Sequence, residues 1–426
     1  MDLHTLYRRY LECTGPVIDS REVEKDSMFF ALRGEHFNGN RFASDALQKG
    51  ARYAVVDDPD FAQNEACILV EDTLDTMQKL ANLHRKKMPV GVLAITGSNG
   101  KTTTKELIYR ILANEHPTLA TQKNYNNHIG VPLTLLQLNN HHHFAVVEMG
   151  ANHPGEIRLL CEIADPDYGI ITNIGKAHLE GFGSLEGVIQ AKSELYDHIC
   201  SRGGIIFYNS DHRLLQDLLK QRGCRVYDYG TSKQAYCSGS ITRHTPFLEI
   251  QSDGLKLTTQ LIGDYNFENL MAALCVAKYT GISQEAVHEG ISKYTPDNNR
   301  SQVIHTHTNE IILDAYNANP TSMKAALENF ARLHRKSKTL ILGDMFELGA
   351  YGPTEHRQII KTLHSMEFHQ VFLVGDHFYE QARDTLPAFR QTHELMSWLK
   401  DHPIRNSSIL IKGSRGMALE KVVEML

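Results

Sequence analysis

The sequence predicts an α/β protein of three domains: a small α/β N-terminal domain, a central domain with a mostly parallel sheet built around a phosphate-binding loop, and a C-terminal Rossmann-like α/β domain. Three observations carry this expectation. A continuous apolar run, Val90-Gly91-Val92-Leu93-Ala94-Ile95, leads directly into a glycine-bearing loop with a Gly-Lys-Thr core. Apolar runs then alternate with helical patterns through two separate blocks, as parallel strands joined by crossover helices do. The length, 426 residues, suits two or three domains at ~150 residues each.

Each element follows in turn. Residues 1–85 read as the first domain. Ser27-Met28-Phe29-Phe30-Ala31-Leu32 and Ala51-Arg52-Tyr53-Ala54-Val55-Val56 are short strands, with a helix from Arg41 to Lys49 ended by Gly50. A charged helix from Thr73 to Lys87 runs to Met88-Pro89, where the first boundary falls. Residues 86–299 form the central domain. Its strands are Val90–Ile95, Phe144–Val147 and Tyr168–Thr172, with helices over Lys105–Asn114 and Ser184–Ile199. Residues 238–262 alternate weakly and carry Ser, Thr and Gly, which predicts antiparallel strands. A helix over Glu268–Tyr279 then ends at Gly281. Residues 300–426 form the third domain, with strands at Ile311–Leu313, Thr339–Leu342, Val371–Val374 and Ser408–Ile411.

Composition narrows the function classes. Forty-four Lys and Arg against 50 Asp and Glu give a net charge of −6, which argues against coating nucleic acid. A local basic pocket for a small anion remains compatible with it. The seven cysteines are scattered, odd in number and without a C-x-x-C pair, so reduced thiols are expected rather than a disulfide framework or a zinc site. The N-terminus lacks the apolar core of a signal peptide, and no apolar run approaches the ~18 residues of a membrane span. A cytoplasmic protein, and a monomer, is expected. The internal run His141-His142-His143 reads as a solvated loop.

The sharpest signal is Thr96-Gly97-Ser98-Asn99-Gly100-Lys101-Thr102-Thr103-Thr104, between a buried strand and a helical run. Gly97 and Gly100 permit close backbone approach, so N–H groups can face phosphate oxygens. Lys101 reaches the β- and γ-phosphates and the Thr102 hydroxyl binds Mg²⁺. The loop is shorter than the common P-loop, since Ile95 stands where that pattern has its first Gly. An ordinary strand–helix turn is the competing reading. Glu148 ends a neighbouring strand and His178 follows the next, so both fall at the carboxyl ends of parallel strands, where such sheets bind ligands. Glu148 is a candidate Mg²⁺ ligand; a solvated strand-end carboxylate is the alternative. His178 is a candidate ligand or a structural histidine. Lys192, in the helix from Ser184, reads as a surface lysine. Asp314 is a carboxylate at a strand end of the third domain.

Together these segments resemble the Mur ligases, ATP-dependent amide-forming enzymes of peptidoglycan synthesis, over nearly the whole chain. The likeness implies that the Thr96–Thr104 loop is the family's shortened ATP loop. It implies that Glu148 and His178 hold metal and that Lys192 becomes carbamylated and serves a second Mg²⁺. The stretch Thr121-Gln122-Lys123-Asn124-Tyr125-Asn126-Asn127-His128-Ile129-Gly130-Val131-Pro132 resembles the branch that adds D-alanyl-D-alanine to UDP-N-acetylmuramoyl tripeptide. So do Asp314-Ala315-Tyr316-Asn317-Ala318-Asn319-Pro320, Leu342-Gly343-Asp344-Met345-Phe346-Glu347-Leu348-Gly349 and Lys412-Gly413-Ser414-Arg415. Asp19-Ser20-Arg21, Phe29–Gly34 and Asn38-Gly39-Asn40 resemble the family's nucleotide-sugar domain.

By that resemblance Asn269 approaches adenine, Arg300 the γ-phosphate and Asp314 the ATP ribose. Ser20, Arg21, Asn38, Gly39, Asn126, Asn127, Tyr316 and Asn317 contact the substrates. Arg300 sits in Asn298-Asn299-Arg300-Ser301, where many relatives have Gly-Arg, so its turn is expected to differ. The implied reaction is attack of the tripeptide carboxylate on ATP to give an acyl phosphate, then attack by the dipeptide amine. Lys101, Arg300 and two Mg²⁺ ions would screen the repulsion between the anions, and His178 and Lys192 complete the catalytic set. The third domain is expected to close on the ATP site. Two other readings stand beside this one. Folylpolyglutamate-type ligases share the loop but lack the leading domain, and the diaminopimelate-adding members carry a D-N-P-R motif that is absent here. A P-loop module that binds ATP without ligation is the other.

Overall fold

The computed structural model describes residues 1–426 except Asn298, His334 and Lys336. Three sheets follow one another along the chain, which bears out the α/β expectation. The first domain carries β1 (Pro16–Val17), β2 (Met28–Phe30), β3 (Arg33–Gly34), β4 (Phe37–Asn38), β5 (Tyr53–Val56) and β6 (Cys67–Leu69). Its sheet has the order β1-β2-β5-β6 and is parallel throughout; β3 and β4 form a separate antiparallel ribbon. The expected helix from Arg41 is a 3₁₀ turn, Gly39–Phe42, followed by a helix over Ala43–Gln48.

The helix Thr73–Lys87 starts where the Asp72 side chain accepts from the Asp75 amide, and its last turn is basic, which suits both ends of the helix dipole. It is the joint between the first two domains. Arg85 pairs with Asp167 at 2.7 Å, and Asn82 donates to the Glu162 carbonyl at 2.8 Å. His84 is buried against Tyr7 and Tyr10, and its Nε2 lies 2.8 Å from the Leu138 carbonyl.

The central sheet has nine strands: β7 (Gly91–Thr96), β8 (Thr118–Ala120), β9 (Phe144–Glu148), β10 (Tyr168–Ile171), β11 (Ile205–Asn209), β12 (Arg225–Gly230), β13 (Cys237–Arg243), β14 (Glu249–Ser252) and β15 (Leu255–Thr258). The order is β15-β14-β13-β12-β11-β10-β7-β9-β8. The run from β13 to β8 is parallel, and β14 runs antiparallel to both of its neighbours, β13 and β15, as the weak alternation predicts. The chain leaves β7 for β8 on one side and later returns to β10 on the other. The carboxyl end of β7 is therefore a topological switch point, the place where open parallel sheets bind ligands. Val92 to Thr96 are almost fully buried, which is why the apolar run is continuous rather than alternating.

The third sheet holds β16 (Gln302–His305), β17 (Glu310–Asp314), β18 (Lys338–Gly343), β19 (Gln370–Val374), β20 (Ala388–Phe389) and β21 (Ser408–Lys412) in the order β16-β17-β21-β18-β19-β20. Only β16 runs antiparallel to its neighbour. The carboxyl ends of β17, β21 and β18 form this sheet's own switch point.

One expectation fails here. Cys200 and Cys224 are joined by a disulfide across 24 residues, not held as free thiols. The first ends the long helix Leu185–Ser201 and the second precedes β12. Sequence spacing carried no sign of the pair, because helix and strand bring the two ends together only in the fold. The other five cysteines are free.

Candidate active site

The glycine-bearing loop sits at the β7 switch point. A Cβ on Gly97 (φ 145°) would lie 2.0 Å from Thr172 Oγ1, and one on Gly100 (φ 80°) 2.3 Å from Asn269 Oδ1. Both positions need the left-handed backbone and the missing side chain. The helix begins at Lys101, four residues before the expected start, and runs to Ala113. The loop's first half is clamped by Asn173. The Ser98 amide donates to the Asn173 carbonyl at 2.9 Å, and the Asn99 amide to Asn173 Oδ1 at 3.0 Å. These two amides are therefore already satisfied by Asn173. The donors left for an anion are those of the first helical turn, Lys101 to Thr103, which have no intrahelical acceptor and sit at the positive end of the helix dipole. Lys101 Nζ folds back to the Gly97 carbonyl at 2.7 Å. Burial lowers its pKa, Glu148 opposes that, and Arg300 adds to it, so three charged side chains converge on one point.

Glu148 is 3% exposed at the end of β9. Its Oε1 accepts from Asn126 Nδ2 at 2.9 Å, while Oε2 is buried without a partner. Leaving a buried charged oxygen unpaired costs on the order of 1–3 kcal/mol or more, so the site fits a cation at Oε2. Asn126 thus positions Glu148. Asn127 spends its side-chain oxygen on the Ile129 and Gly130 amides. Among the described residues no group of three or more His, Cys, Asp or Glu stands close enough to hold a metal by itself. A divalent ion there would draw on Glu148, His178, the Thr102 hydroxyl and ligands from substrate.

Lys192 is not a surface lysine. It is 2% exposed, in the middle of the helix Leu185–Ser201, with its Nζ 5.5 Å from the centre of the Phe182 ring. Burial, then Lys101, holds its pKa well below the ordinary lysine value, against the opposing pull of Glu156 and Glu194. A buried ammonium is costly, which moves the amine toward its neutral form. Neutral amine is the form that adds CO₂, with loss of a proton, to give a carbamate.

The C-terminal domain forms the opposite wall. Asp314, ending β17, accepts from Lys412 Nζ at 2.6 Å and from the Ser301 amide at 3.1 Å. The Arg300 guanidinium lies 3.7 Å from the centre of the Tyr316 ring, and that of Arg415 5.3 Å. Stacking on Tyr316 holds Arg300 beside the cavity. Of the turn expected to differ, Asn298 lies outside the described residues. Asn319 Nδ2 donates to Asn99 Oδ1 at 2.8 Å, which ties this wall to the loop. His178 Nδ1 lies 2.6 Å from Glu347 Oε2, and that contact holds the Glu347 carboxyl below its ordinary pKa, with burial opposing.

Between these walls lies a cavity of about 750 Å³. It is lined by Ser98, Asn99, Gly100, Lys101, Thr102, Thr103, Asn126, Asn127, Glu148, His178, Asn269, Arg300, Asp314, Tyr316 and Asn317. Asn269 is already bonded to Thr104 and Asn266. Gly97 and Lys192 are not part of this lining. Ser20, Arg21, Asn38 and Gly39 belong to the first domain and do not reach it: Arg21 pairs with Asp19, and Asn38 Oδ1 accepts the Asn40 amide. Asn173, Glu347 and Lys412 carry parts of the geometry that sequence reasoning assigned to no role. Their partners lie 74, 169 and 98 residues away respectively, so no local pattern could mark them.

Comparison with known proteins agrees with this architecture. Residues 13–90 match a model of the Mur ligase family catalytic domain, 95–277 the Mur ligase middle domain, and 299–415 the Mur ligase glutamate ligase domain. The UDP-N-acetylmuramoyl-tripeptide--D-alanyl-D-alanine ligase of Bacillus subtilis is 35% identical over 97% of this chain and 93% of its own length. The Escherichia coli ligase of the same name is 33% identical over 96% and 92%. Among solved structures, MurF from Acinetobacter baumannii superposes with a TM-score of 0.87 at 29% identity, covering 99% of this chain and 97% of that one. MurF from Thermotoga maritima in complex with ADP gives 0.84 at 26%, over 98% and 97%.

Proposed function

The chain belongs to the Mur ligase family, and from that premise we propose that it joins D-alanyl-D-alanine to the terminal carboxylate of UDP-N-acetylmuramoyl tripeptide, with ATP consumed. The observation that carries this is the cavity itself. It brings the loop lysine, a buried carboxylate with a free oxygen, and an arginine from a second domain to one place. That is what phosphoryl transfer between two anions requires.

In this reading ATP lies with its phosphates on the first turn of the helix Lys101–Ala113, and Lys101 unfolds from Gly97 to meet them. Arg300, held by Tyr316, faces the γ-phosphate. Asp314, fixed by Lys412, takes the ribose, and Asn269 has one amide hydrogen left for adenine. The tripeptide carboxylate attacks the γ-phosphate, giving an acyl phosphate and ADP. The dipeptide amine then attacks the carbonyl, loses its proton, and expels phosphate. The chain's part is to hold the reacting groups in line and to exclude water. No side chain forms a bond to the substrate.

Mg²⁺ bound near Glu148, His178 and Thr102, with a second ion at a carbamylated Lys192, would supply charge neutralisation for the phosphates. The unpaired Glu148 Oε2 and the buried Lys192, its amine moved toward the neutral form, support that assignment. Ser20, Arg21, Asn38 and Gly39 would hold the nucleotide-sugar end, Asn126, Asn127, Tyr316 and Asn317 the peptide and dipeptide. The reaction belongs to the cytoplasm, where nucleotide sugars and ATP are made, and one chain holds every residue assigned. Incubation with ATP, Mg²⁺, the tripeptide and D-alanyl-D-alanine should yield the UDP-linked pentapeptide by mass. Its absence, with nucleotide binding intact, would contradict the substrate assignment.

A further inference from the structure

His178 belongs to the central domain, but its ring is fixed from the other side of the cavity. The residue follows β10 and has a left-handed backbone (φ 53°). Its Nδ1 lies 2.6 Å from Glu347 Oε2, and Glu347 stands in the loop after β18 of the third domain. The loop docks by backbone as well: the Glu180 amide donates to the Glu347 carbonyl at 3.1 Å. Nearby contacts clasp the same segment. Lys176 pairs with Glu355 at 2.6 Å, the Lys176 amide donates to Thr321 Oγ1 at 3.2 Å, and the Tyr351 hydroxyl donates to the Gly183 carbonyl at 3.2 Å. The whole stretch 176–183 is gripped by the third domain.

A carboxylate oxygen 2.6 Å from Nδ1 favours the proton on that nitrogen and leaves the Nε2 lone pair free, although the angle between the two groups falls short of a formed hydrogen bond. No hydrogen bond occupies Nε2 among the described residues. We infer that Glu347 is a positioning residue for the cation site: it fixes the tautomer and orientation of His178 from the C-terminal domain, so that the histidine is a competent ligand only when that domain is docked. The consequence is order. A third domain swung away would remove the carboxylate, leave the imidazole free to turn, and weaken the metal site before any phosphoryl transfer. Domain docking and readiness for chemistry are then one event, which protects ATP from hydrolysis in the open molecule. This rests on the reading of His178 as a metal ligand.

The test is a Mn²⁺ titration of the full-length protein with ADP and UDP-N-acetylmuramoyl tripeptide, following free Mn²⁺ by electron paramagnetic resonance. Four variants are compared with the parent: Glu347→Ala, Glu347→Gln, His178→Ala and Glu355→Gln. Glu347→Ala should weaken one Mn²⁺ by about 10–100-fold, and His178→Ala at least as much. Glu347→Gln, which can still accept from Nδ1–H, should fall between the parent and Glu347→Ala. Glu355→Gln, which loosens the same interface without touching the histidine, should bind Mn²⁺ as the parent does. Loss of Mn²⁺ in His178→Ala with parental binding in Glu347→Ala would overturn the positioning role and leave the metal assignment standing. Parental binding in His178→Ala would overturn the metal assignment and this inference with it. Equal weakening in Glu355→Gln and Glu347→Ala would assign the effect to docking alone and also overturn it.

Discussion

At the scale of single residues, Lys192 shows how a fold changes the chemistry of a side chain. In sequence it is one more polar position on an amphipathic helix, and such positions face water far more often than not. In the structure it is buried beside Lys101, and its amine is pushed toward the neutral form. Lys192→Ala should lower the ligation rate roughly 100-fold, the scale of losing one preorganised charge contact. A small carboxylic acid in the buffer should partly restore it by occupying the vacated space. Full activity in that variant would contradict the carbamate role. Gly100→Ala is the second test at this scale. Its Cβ would meet Asn269 Oδ1 at 2.3 Å, and the left-handed backbone alone costs about 1–2 kcal/mol. ADP binding by calorimetry should weaken sharply while the circular dichroism spectrum stays that of the parent. The residues legible in the sequence were those whose role follows from local position: a Gly-Lys-Thr after a buried strand, and Glu148 and Asp314 at strand ends. Asn173, Glu347 and Lys412 were not, because each acts through a partner far along the chain.

Elements explain where that legibility stops. Strands read well because burial on both faces writes itself as continuous apolar runs, and β7, β9, β10, β17, β18, β19 and β21 lie where such runs predict them. Short 3₁₀ turns and the β3–β4 ribbon carry no such pattern. The disulfide is of the same kind: it joins the end of the helix that bears Lys192 to the loop before β12. Closing a loop of that length is worth about 3 kcal/mol in the chain-entropy account. Thiol titration of the unfolded, unreduced protein should find five free thiols of the seven, and reduction should lower the urea midpoint. Seven thiols without reductant would contradict the bond. The joint helix Thr73–Lys87 makes a pH prediction. Burial lowers the pKa of His84 from its ordinary 6.5, so the unfolded chain takes up the proton first. Stability is unaffected above that value and falls as the pH drops below it, until the folded form also protonates. His84→Gln should flatten the fall below pH 6.5 in urea melts; an unchanged slope would show that His84 is not its source.

The molecule as a whole is three sheets whose active cavity belongs to none of them alone. The central sheet supplies the loop, Glu148 and His178, and the third supplies Asp314, Tyr316 and, just before its first strand, Arg300. The contacts across that gap include polar ones, such as Asn319 with Asn99, Lys176 with Glu355, Glu347 with His178 and Arg332 with Asp264, and an apolar part in which Leu179 and Phe182 share one buried cluster with Met345 and Leu348. An enzyme assembled in this way should not spend ATP until both acceptors are present, because the acyl phosphate forms only with the tripeptide in place and turns over only with the dipeptide. The decisive measurement is phosphate release from ATP with Mg²⁺, made with UDP-N-acetylmuramoyl tripeptide and D-alanyl-D-alanine together and then with each alone. The account predicts sustained release with both and no sustained turnover with either one. Release at the same rate with neither acceptor would contradict it, leaving an ATP site without the proposed ligation.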